Sequence, residues 1–249
     1  MRRTPLPWRY IQHLLFPQTC LLCGQVTINR DFSQVCAECL DGIRSIPEPV
    51  CMVCGQPLPG GIYSFADTCS SCRSDPPAFD MARAWGPYQG ELRVLLRSLK
   101  YQNLKPLAGP LSGLLETVFD LQFSNSFDWI IPVPLHKKRL AKRGYDQAML
   151  LGRGLSARTG IPALECAIRD KNTLPQHGLS STRRKQNMAG AFTLKKGIDL
   201  ENSQVLILDD VFTTGSTVSA LCKCLRKRFS IKFIGVLTVA RAIRHGPGN

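Results

Sequence analysis

The clearest hydrophobic pattern in the chain is a buried strand followed by an amphipathic helix. Val205–Leu208 is an uninterrupted run of bulky apolar residues, which is typical of a strand covered on both faces in a parallel sheet. Beyond it, apolar residues recur at helical spacing, at Val218, Leu221, Leu225 and Phe229. This spacing predicts a helix with one apolar stripe, so the two elements together indicate part of an α/β unit.

Similar patterns predict helices in the middle of the chain. Leucines at helical spacing predict a helix over residues 91–99, and a second helix is expected over residues 106–121. Residues 79–88 are interpreted as a short strand pair or as an extended entry into the domain.

Further strands complete the predicted sheet. Residues 128–134 form an apolar run that ends in prolines, and a helix is expected to begin near Asp146. The chain is predicted to return to a strand at residues 191–194. Residues 231–239 predict a last strand, which would lie parallel to Val205–Leu208 through a right-handed crossover.

Two adjacent prolines mark the predicted boundary between this domain and the N-terminal part. The segment Ser74-Asp75-Pro76-Pro77 disfavours both helix and strand. We therefore predict an N-terminal module over residues 1–78 and an α/β domain over residues 79–249. A chain of 249 residues is long enough for one α/β core and one small module.

Cysteines dominate the N-terminal module. Eight of the eleven cysteines form four Cys-x-x-Cys pairs, which are Cys20/Cys23, Cys36/Cys39, Cys51/Cys54 and Cys69/Cys72. Two intervening residues allow one turn to present both sulfur atoms to a tetrahedral ion, so the pattern predicts two structural Zn²⁺ sites with four cysteine ligands each. Redox-active pairs are the alternative, although four pairs exceed what a thiol–disulfide enzyme uses.

Two ways of assigning the cysteine pairs to the ions are compatible with the spacing. In a sequential arrangement the first two pairs bind one ion and the last two pairs bind the other, whereas a cross-braced arrangement would interleave them. We favour the sequential arrangement because each half then closes on itself. With four protein ligands, neither ion has an open position for catalysis. Cys166, Cys222 and Cys224 are interpreted as packing or surface residues.

The candidate ligand site follows the Val205–Leu208 strand. Asp209 and Asp210 precede a small, hydroxyl-rich turn that comprises Thr213, Thr214, Gly215, Ser216 and Thr217. A helix start leaves backbone N–H groups without partners and favours an anion, and glycine permits close approach of a phosphate. No Gly-Lys-Ser/Thr follows the glycine, which excludes a Walker A loop. Two acids and such a turn indicate a ribose 5-phosphate; a buried strand followed by an ordinary capped helix is the alternative.

This segment closely resembles the 5-phosphoribosyl 1-pyrophosphate (PRPP) signature of type I phosphoribosyltransferases. The match covers the thirteen residues of Val205–Thr217. The resemblance implies an α/β fold with a type I phosphoribosyltransferase-like parallel sheet, preceded here by the double zinc-ribbon module. It also implies that PRPP binds together with Mg²⁺, and that Asp209 and Asp210 are catalytic residues that support an oxocarbenium-like centre.

A strongly basic segment follows the strand predicted over residues 128–134. It contains Lys137, Lys138 and Arg143 and is predicted to form a loop at the same edge of the sheet as the phosphate turn. Such a loop could bind a pyrophosphate group, and a solvated basic loop is the alternative.

Several aromatic residues lie near basic residues in the sequence. They are Trp85, Tyr88, Tyr101 and Tyr145. Stacking platforms of this kind bind the bases of single-stranded nucleic acid, but we favour packing in the core for each of them. Lys100, beside Tyr101, is compatible with a site residue or with a solvated lysine next to a packing tyrosine.

The wider pattern resembles the ComF family. The resemblance is carried by the cysteine pairs, by Pro132–Leu135 with Arg143–Ala148, by residues between Gln176 and Phe192, and by the PRPP turn. Asp146 departs from the family, which usually has asparagine there, and it adds a negative charge near the proposed pyrophosphate site. Residues 173–192 are poor in apolar residues and are interpreted as a hood over the ligand or as a polar loop.

The positive net charge of the chain indicates which classes of molecule it can bind. The formal net charge is +14, and between His136 and Gly190 there are twelve Lys/Arg residues against three acids. Two Zn²⁺ ions bound by eight thiolates would lower the net charge to about +10. Such a field favours nucleic acid, phosphorylated substrates or anionic lipid, and a merely soluble basic surface is the alternative.

The ComF resemblance implies a cytoplasmic PRPP-binding factor that handles single-stranded DNA during DNA uptake in natural transformation. It implies other uptake proteins at the inner membrane as partners, and any membrane association is expected to be peripheral because no apolar run approaches the length of a transmembrane helix. The alternative is a Mg²⁺-dependent phosphoribosyltransferase that transfers ribose 5-phosphate from PRPP to an unidentified acceptor.

Overall fold

Short elements surround the cysteine pairs at the N-terminal end of the structure. The computed structural model describes residues 18–27, 34–58, 68–123, 126–170 and 190–243. Strands β1 (Gln18–Thr19) and β2 (Val26–Thr27) pair antiparallel, and helices α1 (Ala37–Asp41) and α2 (Ser70–Ser74) contain the later cysteines of the two halves.

Strands and helices then alternate along the rest of the chain. They are β3 (Met81–Pro87), α3 (Gly90–Tyr101), a 3₁₀ turn (Lys105–Leu107), α4 (Ala108–Gln122), β4 (Trp129–Pro132), α5 (Lys137–Arg143), α6 (Gln147–Thr159), β5 (Ala167–Arg169), β6 (Phe192–Leu194), β7 (Gln204–Phe212), α7 (Ser216–Arg228) and β8 (Phe233–Arg241). Strands β3, β8, β7 and β4 form a parallel sheet in that order, and β5 pairs with β6 antiparallel. The predicted α/β class with a parallel sheet is confirmed.

The central strand β7 is covered on both faces, as its sequence predicts. Val205 and Ile207 pack in the apolar cluster that contains the buried side of α7. Leu206 and Leu208 point to the other face and join the cluster formed by α3, α4 and α6. Successive side chains of a strand alternate between faces, so four consecutive apolar residues are needed to fill two cores.

One strand of the sheet differs from its prediction. Residues 79–88 were expected to form a strand pair or an extended entry, whereas β3 is a single strand that pairs in parallel with β8. Its partner lies far ahead in the chain, so local sequence could not reveal it. None of the helices in the described ranges is both long enough and apolar enough to cross a lipid bilayer.

The cysteine-rich part is packed against the sheet rather than attached by a free linker. Ala82 of β3 donates a backbone hydrogen bond to the carbonyl of Val53 at 2.7 Å, and Ile46 donates one to Trp85 at 2.8 Å. Cys51, Cys54 and Cys72 belong to the same apolar cluster as α7. The second half of the N-terminal module is therefore continuous with the core of the α/β domain.

Candidate functional site

Strand β7 extends beyond its neighbour β4 at the carboxyl edge of the sheet, and we call the space beside this extension the crevice. The last residue of β4, Pro132, is paired with Leu208, whereas β7 continues to Phe212 beside β8. Helix α7, which follows β7, packs on one face of the sheet, and α6, the second helix after β4, packs on the other. Ligands of open α/β sheets bind where connections depart to opposite faces in this way.

The two acids of the PRPP signature lie at this crevice. Asp209 is partly exposed, and its Oδ1 accepts a hydrogen bond from the backbone N–H of Asp210 at 2.8 Å. Asp210 is buried, and its carboxylate forms an ion pair with the ammonium group of Lys100 at the end of α3. Sequence reasoning left the role of Lys100 open. Its burial beside an acid now places it within the site.

Burial and neighbouring charges shift the pKa values of one acid and one base in the crevice towards neutral pH. Burial raises the pKa of Asp209 to about 7, although the positive charges of Lys100 and Arg169 act in the opposite direction. Burial also lowers the pKa of Lys100 to about 8, against the attraction of Asp209 and with help from Arg143 and Arg139. Lys100 is thus paired with one acid of the signature and attracted by the other. Above neutral pH the crevice presents a carboxylate at Asp209.

The turn after β7 has the backbone conformation that a glycine allows. Gly215 has φ +73°, and a Cβ atom there would lie 2.6 Å from Cζ of Phe212. Helix α7 begins at the next residue, so its N-cap is a glycine without a capping side chain. The hydroxyl of Thr214 accepts a hydrogen bond from the N–H of Ser216 at 3.4 Å and donates one to the Ser216 hydroxyl at 3.0 Å. The five residues Thr213–Thr217, which we call the phosphate loop, therefore combine a close backbone approach with clustered hydroxyls.

The basic segment after β4 is a helix, α5, and the prediction of a loop was wrong. His136 caps it: Nδ1 accepts a hydrogen bond from the N–H of Lys138 at 3.2 Å, and Nε2 donates one to the carbonyl of Asp170 at 3.1 Å. Gly144 ends the helix in the left-handed conformation. A glycine that ends a helix in this way is a common sequence signal. The run of basic residues before Gly144 favoured a loop instead.

The three basic residues predicted for pyrophosphate binding differ in their positions. Lys137 and Lys138 are exposed on the first turn of α5, and within the described part of the chain neither pairs with Asp209 or Asp210. Arg143 is partly buried at the last turn, close enough for its charge to lower the pKa of Lys100. Of the three, only Arg143 therefore acts on Lys100, the ion-pair partner of Asp210.

An aromatic ring is exposed at the rim of the crevice. The Tyr101 side chain is 72% exposed, and the guanidinium of Arg143 lies 5.5 Å from the centre of its ring. Packing in the core was the favoured prediction for Tyr101, and it was wrong. It was right for Tyr145, which is buried and donates a hydrogen bond to the carbonyl of Leu99.

Asp146 has a structural role at the same edge. Its Oδ1 accepts hydrogen bonds from the N–H groups of Ala148 at 2.9 Å and Met149 at 3.2 Å, which cap helix α6. Its Oδ2 accepts a hydrogen bond from the N–H of Leu135 at 2.8 Å. Burial raises the pKa of this carboxyl, but three backbone donors favour its ionised form. Asp146 thus joins the end of β4 to the start of α6 instead of facing an anion.

The cysteines form two compact groups, and the sequential arrangement is confirmed. Cys20, Cys23, Cys36 and Cys39 form one group, and Cys51, Cys54, Cys69 and Cys72 form the other, with the sulfur atoms of each group within 4.8 Å of one another. In the second group a hydrogen bond with the Cys54 side chain lowers the pKa of Cys51 to about 4, despite burial. Four clustered sulfurs that include a stabilised thiolate fit a tetrahedral Zn²⁺ ion with no open position.

Two other predictions have different outcomes. Cys166 and Cys222 are buried and Cys224 is partly buried, which agrees with their interpretation as packing or surface residues. Residues 171–189 lie outside the described part of the chain, so the hood predicted over residues 173–192 stays a prediction for nearly its whole length.

Comparison with known proteins identifies relatives of both parts. Residues 11–73 match the double zinc ribbon domain family. The chain is 36% identical over 214 residues to Competence protein F of Haemophilus influenzae, with 84% of this chain and 90% of that protein covered. It is 30% identical over 220 residues to DNA utilization protein YhgH of Escherichia coli K12, with 85% and 92% covered. A solved purine phosphoribosyltransferase from Pyrococcus horikoshii is 19% identical, with 56% of this chain and 89% of that chain covered and a TM-score of 0.32.

Proposed function

This chain belongs to the ComF (competence protein F) family, and from that premise we propose that it binds PRPP with Mg²⁺ and handles single-stranded DNA during DNA uptake. The observation that carries the proposal is the position of Asp209 and Asp210, beside the phosphate loop and in the crevice at the carboxyl edge of the sheet. We further propose a cytoplasmic location, with partners among uptake proteins at the inner membrane.

The proposed contacts with PRPP divide between the loop and the acids. The backbone N–H groups and hydroxyls of the phosphate loop bind the 5-phosphate at the start of α7, where the helix dipole favours an anion. Asp209 accepts hydrogen bonds from the ribose hydroxyls, and Asp210 compensates the charge of Lys100 next to it. Arg143 provides the positive charge for the pyrophosphate, and the exposed Lys137 and Lys138 add to the field from the first turn of α5.

The residues of the crevice also fit a magnesium ion. Mg²⁺ prefers carboxylate oxygens and phosphate oxygens of a substrate, and it keeps several water ligands. Asp209 is partly exposed beside such a phosphate position and is ionised above neutral pH. When bound, the ion neutralises the negative charge of the pyrophosphate. Lys100 holds Asp210 in place, so Asp209 is the acid that is available to the ion.

The proposal for DNA rests on the rim of the crevice. Tyr101 offers an exposed ring on which a base can stack, and Arg143 adds a positive charge against that ring. The exposed lysines of α5 lie on the helix that ends at Arg143. A basic surface with an aromatic platform is the combination that binds single strands without sequence preference.

Two titrations test the proposal. Calorimetric titration of the zinc-loaded chain with PRPP and Mg²⁺ is expected to show one site per chain. Fluorescence anisotropy with a labelled single-stranded oligonucleotide is expected to show binding that weakens steeply as salt rises. A chain that binds neither ligand would contradict the proposal.

A phosphoribosyltransferase acting on an unidentified acceptor is the second candidate. The observation that favours it is the pKa of Asp209, about 7, which is the range in which a carboxyl can exchange a proton at physiological pH. The discriminating measurement is the release of pyrophosphate from PRPP across a panel of nucleobases and amines. Release with one defined acceptor would establish the enzyme, and binding without turnover would favour the uptake factor.

A further inference from the structure

Arg241, the last residue of β8, connects the α/β domain to the second zinc ribbon. The residue is buried, and its Nε donates a hydrogen bond to the side chain of Gln56 at 3.1 Å. Its two terminal nitrogens reach Cys54: one donates to the carbonyl oxygen and the other lies 3.5 Å from the sulfur atom. Cys54 is one of the four ligands of the second zinc site. The guanidinium is thus held directly by a zinc ligand.

The same guanidinium also contacts the end of β7. It lies 4.7 Å from the centre of the Phe212 ring, and Phe212 is the strand partner of Arg241. The next residue, Ala242, donates a backbone hydrogen bond to the carbonyl of Phe212 at 2.8 Å. The tip of the ring packs against Gly215, where a Cβ atom would lie 2.6 Å from Cζ. The Phe212 ring therefore supports the phosphate loop through its contact with Gly215.

These contacts form one continuous buried path from a zinc ligand to the loop. Cys54, Phe212 and Arg241 are each less than a tenth exposed, and Gly215 is buried as well. We propose that Arg241 and Phe212 are positioning residues through which the second zinc ribbon holds the phosphate loop in its binding conformation, so that loss of this zinc weakens phosphate binding.

The physical basis is the cost of a buried charge that loses its partner. With the second site loaded, the carbonyl and sulfur of Cys54 are fixed and compensate the guanidinium. Without the ion, the turn that carries Cys54 is no longer held, because small zinc modules derive their fold from the metal. The guanidinium of Arg241 then loses its hydrogen bonds to Cys54 and shifts. The Phe212 ring that it contacts is in turn no longer held against Gly215.

The chain contains matched controls for this path. Arg83 is also buried and also contacts the second ribbon, since it donates a hydrogen bond to the carbonyl of Met52 at 3.1 Å. It is paired with Leu237 in the middle of β8, well before the end of the strand. Cys39 and Cys72 provide a second comparison, because Cys39→Ser removes a ligand of the first site and Cys72→Ser removes one of the second without altering Cys54.

The experiment is hydrogen–deuterium exchange of the full chain without ligand, so the path is tested even if PRPP does not bind. We expect Arg241→Met and Cys72→Ser to accelerate exchange of the phosphate-loop amides about tenfold or more, because local opening becomes easier. We expect Arg83→Met and Cys39→Ser to leave that exchange close to the wild-type rate. Wild-type exchange of the loop in both Arg241→Met and Cys72→Ser would overturn the proposal.

A second variant keeps the test informative if Arg241→Met does not fold. Phe212→Leu leaves the contacts between Arg241 and Cys54 in place but removes the ring that packs on Gly215. It should retain two zinc ions, measured by mass spectrometry of the native protein, and still exchange faster at the loop. Wild-type loop exchange in Phe212→Leu would equally overturn the proposal.

The functional consequence rests on the proposed function and is measured separately. Calorimetry with PRPP and Mg²⁺ should show weaker binding to Arg241→Met and Cys72→Ser than to the two controls. If the wild type does not bind PRPP while the exchange results hold, the proposed ligand is wrong and the path is retained. If the wild type binds PRPP and all four variants bind it equally, the functional consequence of the path is contradicted.

Discussion

The ammonium group of Lys100 forms an ion pair with the carboxylate of Asp210 at the carboxyl edge of the parallel sheet. The two side chains are 16% and 6% exposed, so both charges are largely withdrawn from water. One acid of the PRPP signature therefore has an ion-pair partner within the protein. The other, Asp209, faces the crevice with a pKa close to neutrality.

Removing one partner of this ion pair should lower the free energy of unfolding. We expect Asp210→Ala to lower the free energy of unfolding by about 3 kcal/mol, because it removes the ion-pair partner of the buried Lys100 charge. Adding Lys100→Met to this variant should recover part of the loss. The measurement is urea denaturation at pH 7, followed by circular dichroism.

An exposed ion pair provides the control for that measurement. Arg158 and Glu116 are 2.7 Å apart, but their side chains are 40% and 31% exposed. Glu116→Ala should therefore cost less than about 1 kcal/mol. If Asp210→Ala is no worse than Glu116→Ala, Lys100 and Asp210 are not a buried pair.

The raised pKa of Asp209 means that the ionised form of this side chain destabilises the fold. Its pKa is raised from 3.8 to about 7, so the folded state binds the proton more tightly, and stability contributed by this group falls as pH rises between these values. Asp209→Asn should remove this loss and raise the free energy of unfolding at pH 8, by on the order of 1–2 kcal/mol after allowance for partial exposure. The measurement is urea denaturation of both proteins at pH 8. A destabilised Asp209→Asn variant would show that the carboxylate supports the fold.

The same group sets the pH dependence of PRPP binding. Binding should weaken below about pH 7 as Asp209 becomes protonated, because the protonated acid no longer binds a cation. The charge of Lys100 opposes the rise in this pKa, so Lys100→Met should move the midpoint of the binding curve to higher pH. Calorimetric titrations across neutral pH measure both midpoints. A midpoint that stays unchanged in Lys100→Met would exclude Asp209 as the titrating group.

The elements that sequence predicted correctly are those defined by local patterns. The run Val205–Leu208 indicates a strand buried on both faces, because four consecutive bulky apolar residues before a turn are typical of parallel sheets. Each four-cysteine group closes within its own half of the module. Turn residues and spacing are sufficient for both inferences.

The elements that sequence missed depend on contacts that are distant in the chain or on unusual caps. Lys100 is assigned to the site only because α3 ends beside β7, which no local pattern encodes. Helix α5 was predicted as a loop because its start is capped by the ring of His136, whereas caps are more commonly Ser, Thr, Asp or Asn. The charge of Asp146 seemed unfavourable for an anion site until its three backbone partners were visible.

Binding of single-stranded DNA should depend on the exposed ring at the rim. We expect Tyr101→Ala to weaken binding of an oligonucleotide about tenfold, in line with the loss of one stacked base, and to leave the salt dependence unchanged. Tyr101→Phe should bind like the wild type because the ring is retained. Joint replacement of Lys137 and Lys138 by alanine should instead reduce the slope of affinity against salt. Equal affinity of Tyr101→Ala and the wild type would exclude a stacking role.

Zinc analysis can establish the sequential arrangement in solution. The purified wild type should contain two zinc ions per chain. Cys20 and Cys36 belong to the same group in the structure, so a variant with serine at both positions should retain about one ion. In a cross-braced arrangement these two cysteines would serve different ions. Loss of both ions from a variant that remains folded would therefore contradict the structure.

Titration of the wild type and of Asp209→Asn with PRPP and Mg²⁺ at pH 8 is the most direct test of the central claim. The claim is that the acid pair and the phosphate loop bind a phosphorylated ribose. We expect one site per chain in the wild type and an affinity lower by about tenfold or more in Asp209→Asn, because a charged acceptor is lost from a partly buried site. Equal binding by both proteins, or no binding by the wild type, would contradict the account.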